Sequence, residues 1–215
     1  MKILLFLFLL SFGLLSAPAA PVSELDQLIN GLQGKYLRLN TLSADFTQLY
    51  HAPGERARRE SGRLQLKKPG KMRWDYATPE AKLYVSDGKV IYEYIPADRS
   101  ATRASVKQTE DWRAPFMFLL GRGNLRRDFA RIDLANEAPV CAGNRVLRMI
   151  PKRSSDIREL LVEVDPNNFN LARLSLLKSG QARIDFLLSN VQENIALADS
   201  MFTFQPPAGV AVRQQ

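Results

Sequence analysis

The sequence predicts an α+β fold dominated by strands, in which helices pack on the mouth of one curled antiparallel sheet or open barrel. Three observations predict this fold. An amphipathic helical pattern comes first, at residues 23–38, and a short apolar helix follows much later. Between and after them, many segments alternate apolar and polar residues, which is the period of a half-buried strand. Short turns join these segments, so neighbouring strands pair antiparallel and their apolar face needs a cover.

The first 19 residues have the pattern of a secretory signal peptide. Lys2 supplies a positive charge, residues 3–15 are almost wholly apolar, and Ala17-Pro18-Ala19 offers small residues for cleavage. We expect cleavage after Ala19, because cleavage after Ala17 or Ala20 would leave a proline at the first mature position. Residues 20–215 are then predicted to form one domain, since no linker or internal repeat divides them.

The first helix is predicted from spacing. Its apolar stripe consists of Leu25, Leu28, Ile29, Leu32 and Tyr36. These positions repeat with the 3.6-residue period of a helix. Ser23 and Asp26 form a capping box that places the helix start.

Strands are predicted within residues 42–94 and again at 145–150, 157–164, 171–178 and 182–189, with a short last segment at 202–204. Asp87-Gly88 lies between two alternating runs and predicts a hairpin with a type I′ turn. Residues 122–143 show no clear period.

A second helix is predicted at residues 115–121. Pro115 suits a first helical position and Gly121 a C-terminal stop. The segment is apolar on all sides, so it must be covered or must itself cover an apolar surface.

Signals of catalysis are absent from the sequence. The 215 residues hold one Cys and one His, which excludes an internal disulfide and a multi-Cys zinc site. A catalytic triad would need His51, which lies in a predicted turn. Cys141 is interpreted as a small apolar filler. We therefore expect no enzyme activity, no catalytic residue, no metal and no cofactor.

The net charge of +8 favours partners that carry negative charge. The main basic cluster consists of Arg56, Arg58, Arg59, Arg63, Lys67, Lys68, Lys71 and Arg73. Alternation places many of these residues on the outer face of the sheet. This face is either simply solvated, or it is a docking surface for an acidic protein or for anionic lipid headgroups. Nucleic acid is not expected, because Trp74 and Tyr76 point away from the charges.

Several motifs together resemble one known family. They are the runs 42–48 (LSADFTQ), 62–76 (GRLQLKKPGKMRWDY), 85–89 (VSDGK), 115–117 (PFM) and 202–210 (FTFQPPAGV). The chain resembles LolA, the periplasmic outer-membrane lipoprotein carrier family, over essentially all of its length after the signal peptide. The hairpin motif and the C-terminal motif are specific in combination.

The resemblance implies an unclosed antiparallel β-barrel with a lid of short α-helices over an apolar cavity. It also implies a periplasmic chaperone that accepts triacylated lipoproteins released by an inner-membrane ABC transporter. Such a chaperone delivers its cargo to an outer-membrane receptor, and we expect it to be a monomer. Two alternatives remain open: a carrier of another lipid or lipid conjugate on the same fold, or a periplasmic regulator that senses lipoproteins.

The resemblance and the alternation together suggest site residues. The cavity lining is predicted to include Leu64, Leu66, Met72, Trp74, Leu83, Val85, Tyr92 and Tyr94. The lid is predicted to include Phe116, Met117, Leu119 and Leu120. Family members commonly carry Arg where this chain has Lys68, which is the candidate latch for the lid. Patterning alone would equally allow the same residues to form a solid core.

Overall fold

A computed structural model describes residues 22–106, 123–152 and 156–214 of the chain. The first helix, α1, spans Glu24–Arg38 as predicted, and the Ser23 hydroxyl accepts a hydrogen bond of 3.1 Å from the Asp26 backbone N–H. Its buried face consists of Leu28, Ile29, Leu32 and Tyr36. A Cβ at Gly31 would come within 2.2 Å of the Phe169 ring. The glycine therefore lets α1 approach the turn that carries Phe169.

Twelve strands form one sheet. Their bounds are β1 Thr41–His51, β2 Arg58–Lys67, β3 Lys71–Thr78, β4 Lys82–Ser86, β5 Val90–Ile95, β6 Ser100–Ser105, β7 Phe129–Leu134, β8 Arg145–Pro151, β9 Ile157–Val164, β10 Leu171–Lys178, β11 Arg183–Glu193 and β12 Ala211–Gln214. A short helix α2, Leu125–Asp128, precedes β7, and a 3-10 helix spans Asp199–Phe202.

The spatial order of the strands is β12-β6-β5-β4-β3-β2-β1-β11-β10-β9-β8-β7. All neighbours pair antiparallel except β12, which runs parallel to β6. The first and last strands of this order, β12 and β7, do not pair within the described residues. The predicted mainly-β fold with an unclosed, curled sheet is confirmed.

Some predicted elements differ from the observed ones. Strands β6, β7 and β12 were not predicted. Strands β6 and β12 are short and have few bulky apolar residues, and the apolar residues of β7, Phe129, Ile132 and Leu134, do not alternate strictly. Residues 202–204 are not a strand, since the chain leaves the 3-10 helix there in an irregular path. The hairpin at Asp87-Gly88 exists, but only Gly88 has a positive φ, of 93°, so the turn is not type I′.

Candidate functional site

The inner face of the sheet, defined as the side that packs against α1, is rich in buried aromatic residues. The Phe46 ring centroid lies 4.9 Å from that of Trp74, and Trp74 lies 5.4 Å from Phe186. Trp74 and Phe186 are both 0% exposed. Because β1, β2, β3 and β11 are neighbours in the sheet, residues far apart in sequence meet on this face.

Four of the eight predicted lining residues lie together on the inner face. Leu64 pairs with Trp74 and Leu66 with Met72 across β2 and β3. All four side chains are buried in the same apolar cluster as α1. That they line a lipid site remains a prediction.

The prediction is wrong for the other four, which are Leu83, Val85, Tyr92 and Tyr94. Val85 pairs with Arg73 and Leu83 with Asp75, and both partners alternate with the inner-face residues of β3. Tyr92 and Tyr94 pair with Val85 and Leu83 in turn. The register therefore places all four residues on the outer face of the sheet.

The physical reason is that this part of the sheet is covered on both faces. Residues 195–210, which we call the C-terminal strap, cross the outer face. The Phe204 ring lies 5.2 Å from the Tyr92 ring and 5.4 Å from the Tyr94 ring, centroid to centroid. Phe202 is 1% exposed, and Val85 beneath the strap is 0% exposed. Apolar residues on β4 and β5 therefore do not indicate which face is inside.

Basic residues of β2 and β3 hold the strap by its backbone and by Asp199. The Lys67 ammonium donates to the Leu197 carbonyl at 2.5 Å, and the Arg73 guanidinium donates to the Met201 carbonyl at 3.1 Å. Asp199 lies 2.8 Å from Lys67 and 3.0 Å from Lys71, and their hydrogen bonds hold the pKa of its carboxyl below the ordinary value. Part of the predicted basic surface is thus occupied by the chain itself.

The inner face becomes polar toward the end of the sheet that lies farther from α1. The inner polar cluster consists of Gln48, Glu60, Tyr76, Lys82, Tyr84 and Glu93. The Tyr76 hydroxyl donates to the Gln48 amide oxygen at 2.6 Å, and the Gln48 amide donates to Glu60 at 3.3 Å. Lys82 donates to Glu60 and lies 4.7 Å above the Tyr76 ring, while Tyr84 donates to Glu93.

Sequence reasoning missed this cluster, although a signal existed. Gln48 shares its side of β1 with Phe46, and Glu60 shares its side of β2 with Leu64. Alternation alone thus places the side chains of Gln48 and Glu60 on the same face as the predicted apolar lining, which is the signal of a polar cluster there.

Lys68 binds α1. Its ammonium donates to the backbone carbonyls of Tyr36 at 3.1 Å and Leu37 at 2.6 Å, in the last turn of the helix. A cation is favourable there because the final carbonyls of a helix lack partners and carry partial negative charge. Burial lowers the pKa of the Lys68 ammonium. The contact that the structure shows for the candidate latch is therefore with α1.

A second set of contacts joins α1 to β10, to β11 and to the loop between β9 and β10. The Tyr36 hydroxyl accepts a hydrogen bond of 3.2 Å from the Leu171 backbone N–H, and Lys35 contacts both Asn170 and Glu193. Burial raises the pKa of the Tyr36 hydroxyl, which therefore stays protonated. Together with Lys68, these contacts hold α1 across one end of the sheet.

The predicted lid residues Phe116, Met117, Leu119 and Leu120 lie outside the described residues. The chain before them ends in β6, and the chain after them enters α2 and β7. In the spatial order of the strands, β6 is second and β7 is last.

The outer face of β9–β11 carries a buried ionic network that the sequence did not reveal. Residues 135–144, which we call the outer loop, cover this face. Glu163 is 0% exposed, and its carboxylate accepts hydrogen bonds of 2.8 Å from the backbone N–H groups of both Val140 and Cys141. Asn144 donates to the same carboxylate at 3.1 Å, and the Arg173 guanidinium lies 3.3 Å from it.

Glu137 extends this network to the edge of the outer loop. The Arg183 guanidinium forms two hydrogen bonds with Glu137, at 2.9 and 2.7 Å, and Arg173 lies 2.8 Å from the same carboxylate. The hydrogen bonds from Arg183 hold the pKa of Glu137 below its ordinary value. The outer loop is therefore attached to the sheet mainly by charged groups.

The two residues considered for catalysis lie on the surface. His51 is exposed at the end of β1. Cys141 is exposed in the outer loop, so its interpretation as an apolar filler is wrong. Among residues 22–106, 123–152 and 156–214, no group of three or more His, Cys, Asp or Glu side chains could hold a metal ion. No helix in the same ranges has the length and apolar character needed to cross a membrane.

Comparison with known families decides how this arrangement is classified. The family model described as outer membrane lipoprotein carrier protein LolA matches residues 38–205. The chain belongs to the LolA family. This match covers the sheet from the end of α1 to the strap. Because LolA proteins are carriers without enzyme activity, it also confirms the expectation that the chain is not an enzyme.

Named LolA relatives are similar along most of the chain. The outer-membrane lipoprotein carrier protein of Bordetella avium is 33% identical over 91% of this chain and 90% of its own length. That of Chromobacterium violaceum is 31% identical over 91% of this chain and 88% of its own length. Among solved structures, an uncharacterised conserved protein from Thermus thermophilus matches with a TM-score of 0.56 and 13% identity, over 88% of this chain and 98% of that one. The last likeness shows the fold alone.

Proposed function

We propose that this chain is a periplasmic chaperone that carries acylated lipoproteins between the two membranes of the cell. The observation that supports the proposal best is the inner face of a LolA-family sheet, where aromatic and aliphatic side chains from both halves of the sheet face one another beneath α1. We further propose that the carrier accepts its cargo from an inner-membrane ABC transporter and passes it to an outer-membrane receptor.

A carrier is required because acyl chains are costly to expose to water. Each CH₂ group transferred to water costs about 0.8 kcal/mol, so one acyl chain of about 15 methylenes costs about 12 kcal/mol. An aqueous compartment is therefore a barrier to a triacylated protein.

A release assay tests the proposal. Spheroplasts that hold a labelled lipoprotein in the inner membrane are incubated with the purified chain from residue 20 onward. We expect labelled lipoprotein in the soluble fraction, in amounts that rise with the concentration of the chain. Recovery equal to that with serum albumin would contradict the carrier function. Hydrolysis of model esters would indicate an enzyme, and uptake of free lipid without lipoprotein would favour a carrier of another lipid.

The lid remains a proposal that rests on the family resemblance. Phe116→Asp should abolish release while the far-ultraviolet circular dichroism remains that of a β-protein. Val22→Asp is the matched control, because Val22 is 58% exposed ahead of α1 and the same charge there should leave release unchanged. Equal release by both variants would contradict a lid at Phe116.

Export to the periplasm is also a proposal. The intact precursor expressed in a Gram-negative host should yield a mature protein that begins at Ala20, as measured by mass spectrometry. A mature protein that still carries residues 1–19 would contradict the signal-peptide prediction.

A further inference from the structure

The inner polar cluster occupies only one wall of an otherwise apolar interior. At the same level of the sheet, Gln48 pairs with Phe186 and Tyr50 with Ile184. The next strands continue that apolar wall with Leu176 and Leu160. Polar side chains of β1–β5 thus face aliphatic side chains of β9–β11.

Stability alone does not account for this cluster. The side chains of Lys82 and Glu60 are 19% and 22% exposed, so both charges are largely removed from water. Taking a pair of ions out of water costs several kcal/mol per ion, and apolar side chains of similar size often serve stability equally well. A role in binding explains why the charges lie inside the sheet.

The hydrogen-bonding capacity of the cluster suits carbonyl oxygens. An ammonium group has three N–H donors, and Glu60 takes one of those of Lys82. The Gln48 amide has two N–H groups, of which Glu60 takes one, so its second N–H adds a donor on the same face. The hydroxyls of Tyr76 and Tyr84 already donate to Gln48 and Glu93 and leave only acceptor capacity. Ester and amide carbonyls accept hydrogen bonds and carry no charge, so they can approach the neutral Lys82–Glu60 pair without repulsion.

We infer that the inner polar cluster is a subsite for the ester carbonyls of an acylglyceryl group, with Lys82 as its principal donor. This inference rests on the proposed carrier function. It assigns a direction to the bound cargo: the acyl chains extend toward α1 and displace the packing that now buries Leu64, Leu66 and Met72, and the glyceryl group stays at the end farther from α1. The polypeptide of the cargo then leaves the carrier at that same end.

Two synthetic lipopeptides test the subsite. One has a diacylglyceryl group with ester linkages, and the other has ether linkages with the same chain lengths, which removes the carbonyl acceptors. We expect the wild-type chain to bind the ester form about tenfold more tightly, because one hydrogen bond to a charged group contributes about that factor. Binding is measured by competition against a fluorescent lipopeptide.

Variants assign the difference to the cluster. Glu60→Gln/Lys82→Met removes both charges and leaves Gln48 a partner, and we expect it to bind the two lipopeptides with equal affinity. Arg59→Met is the matched control, because Arg59 is an exposed cation on the same strand, and it should retain the tenfold preference. Lys82→Gln gives a second, milder variant if the double variant does not fold.

The outcomes separate the two proposals. If the wild-type chain binds both lipopeptides equally, the subsite is wrong while the carrier function stands. A preference that persists in the double variant places the carbonyl site elsewhere and also contradicts the subsite. If the wild-type chain binds neither lipopeptide and fails the release assay, the carrier function fails and the subsite fails with it.

Discussion

The two halves of the sheet cover their outer faces by different means. On β2–β5 the cover is the C-terminal strap, in which buried Phe202 and Leu197 and the ring of Phe204 lie over an apolar surface. On β9–β11 the cover is the outer loop, which buried Glu163 holds through backbone N–H groups. Both covers bury one side of a sheet whose other side is the core. Burial of a strand residue therefore does not show that its side chain lies on the inner face. The two covers also differ in chemistry, since the strap packs through apolar side chains and the outer loop is held by a buried carboxylate.

The comparison predicts the largest effect at the apolar cover. Phe202→Ala should lower the free energy of unfolding by about 3–5 kcal/mol, because it leaves a cavity under the strap. The loss should be the same at low and high salt, as measured by urea titration. Phe204→Ala is the matched variant, and we expect a smaller loss since Phe204 is only partly buried. A loss below about 1 kcal/mol at Phe202 would show that the strap is not part of the cooperative fold.

The ionic cover should respond to loss of a single charge. Glu163→Gln keeps the shape of the side chain but weakens its hydrogen bonds and leaves Arg173 with less compensation. We expect a loss of about 2–3 kcal/mol in urea titrations. Asp156→Asn, which affects an exposed pair with Lys178, should change the stability little. If both substitutions have the same small effect, the outer loop does not depend on Glu163.

Acid should weaken the ionic cover before it affects the apolar one. The folded chain holds the pKa of Glu137 below its ordinary value, through Arg183 first. Its contribution to stability is therefore complete above the ordinary pKa and is lost as the pH falls through the lowered value. Wild-type chain and Glu137→Gln should differ most near pH 7 and converge in acid, in unfolding titrations at several pH values. A gap that widens toward acid would contradict this assignment.

The smallest effect is expected at the exposed end of the strap. Asp199→Asn removes the acceptor that Lys67 and Lys71 share, but the aspartate is 67% exposed, so salt screens the attraction. We expect a slight decrease in melting temperature at low salt and none at high salt. Lys67 keeps its bond to the Leu197 carbonyl and therefore still holds the strap. A large decrease that salt does not change would mean that Asp199 has a structural role beyond charge pairing.

The sequence predicted the fold class and most strands because their patterns are local. The stripe of α1 and the alternation around Trp74 both follow directly from which residues are buried. The faces of β4 and β5 could not be predicted in this way, since Val85 and Tyr92 are covered by a strap that comes about 100 residues later in the chain. Alternation identifies two faces, but only the pairing of strands shows which one is inside.

The positions of the predicted site residues can be explained in the same way. Leu64 and Trp74 lie together on the inner face because β2 and β3 form a tight hairpin, whereas their role in binding lipid stays a prediction. The inner polar cluster was missed because its members come from five strands and only the sheet brings them together. The partner of Lys68 could not be predicted either, because the backbone carbonyls of α1 that it binds are not specified by any residue type in the sequence.

The pairing of β12 with β6 bears on how the molecule behaves among its own copies. An open sheet edge offers backbone groups to any passing strand and invites chains to add to one another. Here β12 occupies one edge of the sheet with a strand of only 4 residues, and the other edge is β7, where Arg131 and Asp133 form an ion pair of 2.7 Å. A short strand at one edge and charged side chains at the other both disfavour edge-to-edge pairing between copies of the chain. The sheet can therefore stay unclosed without promoting aggregation.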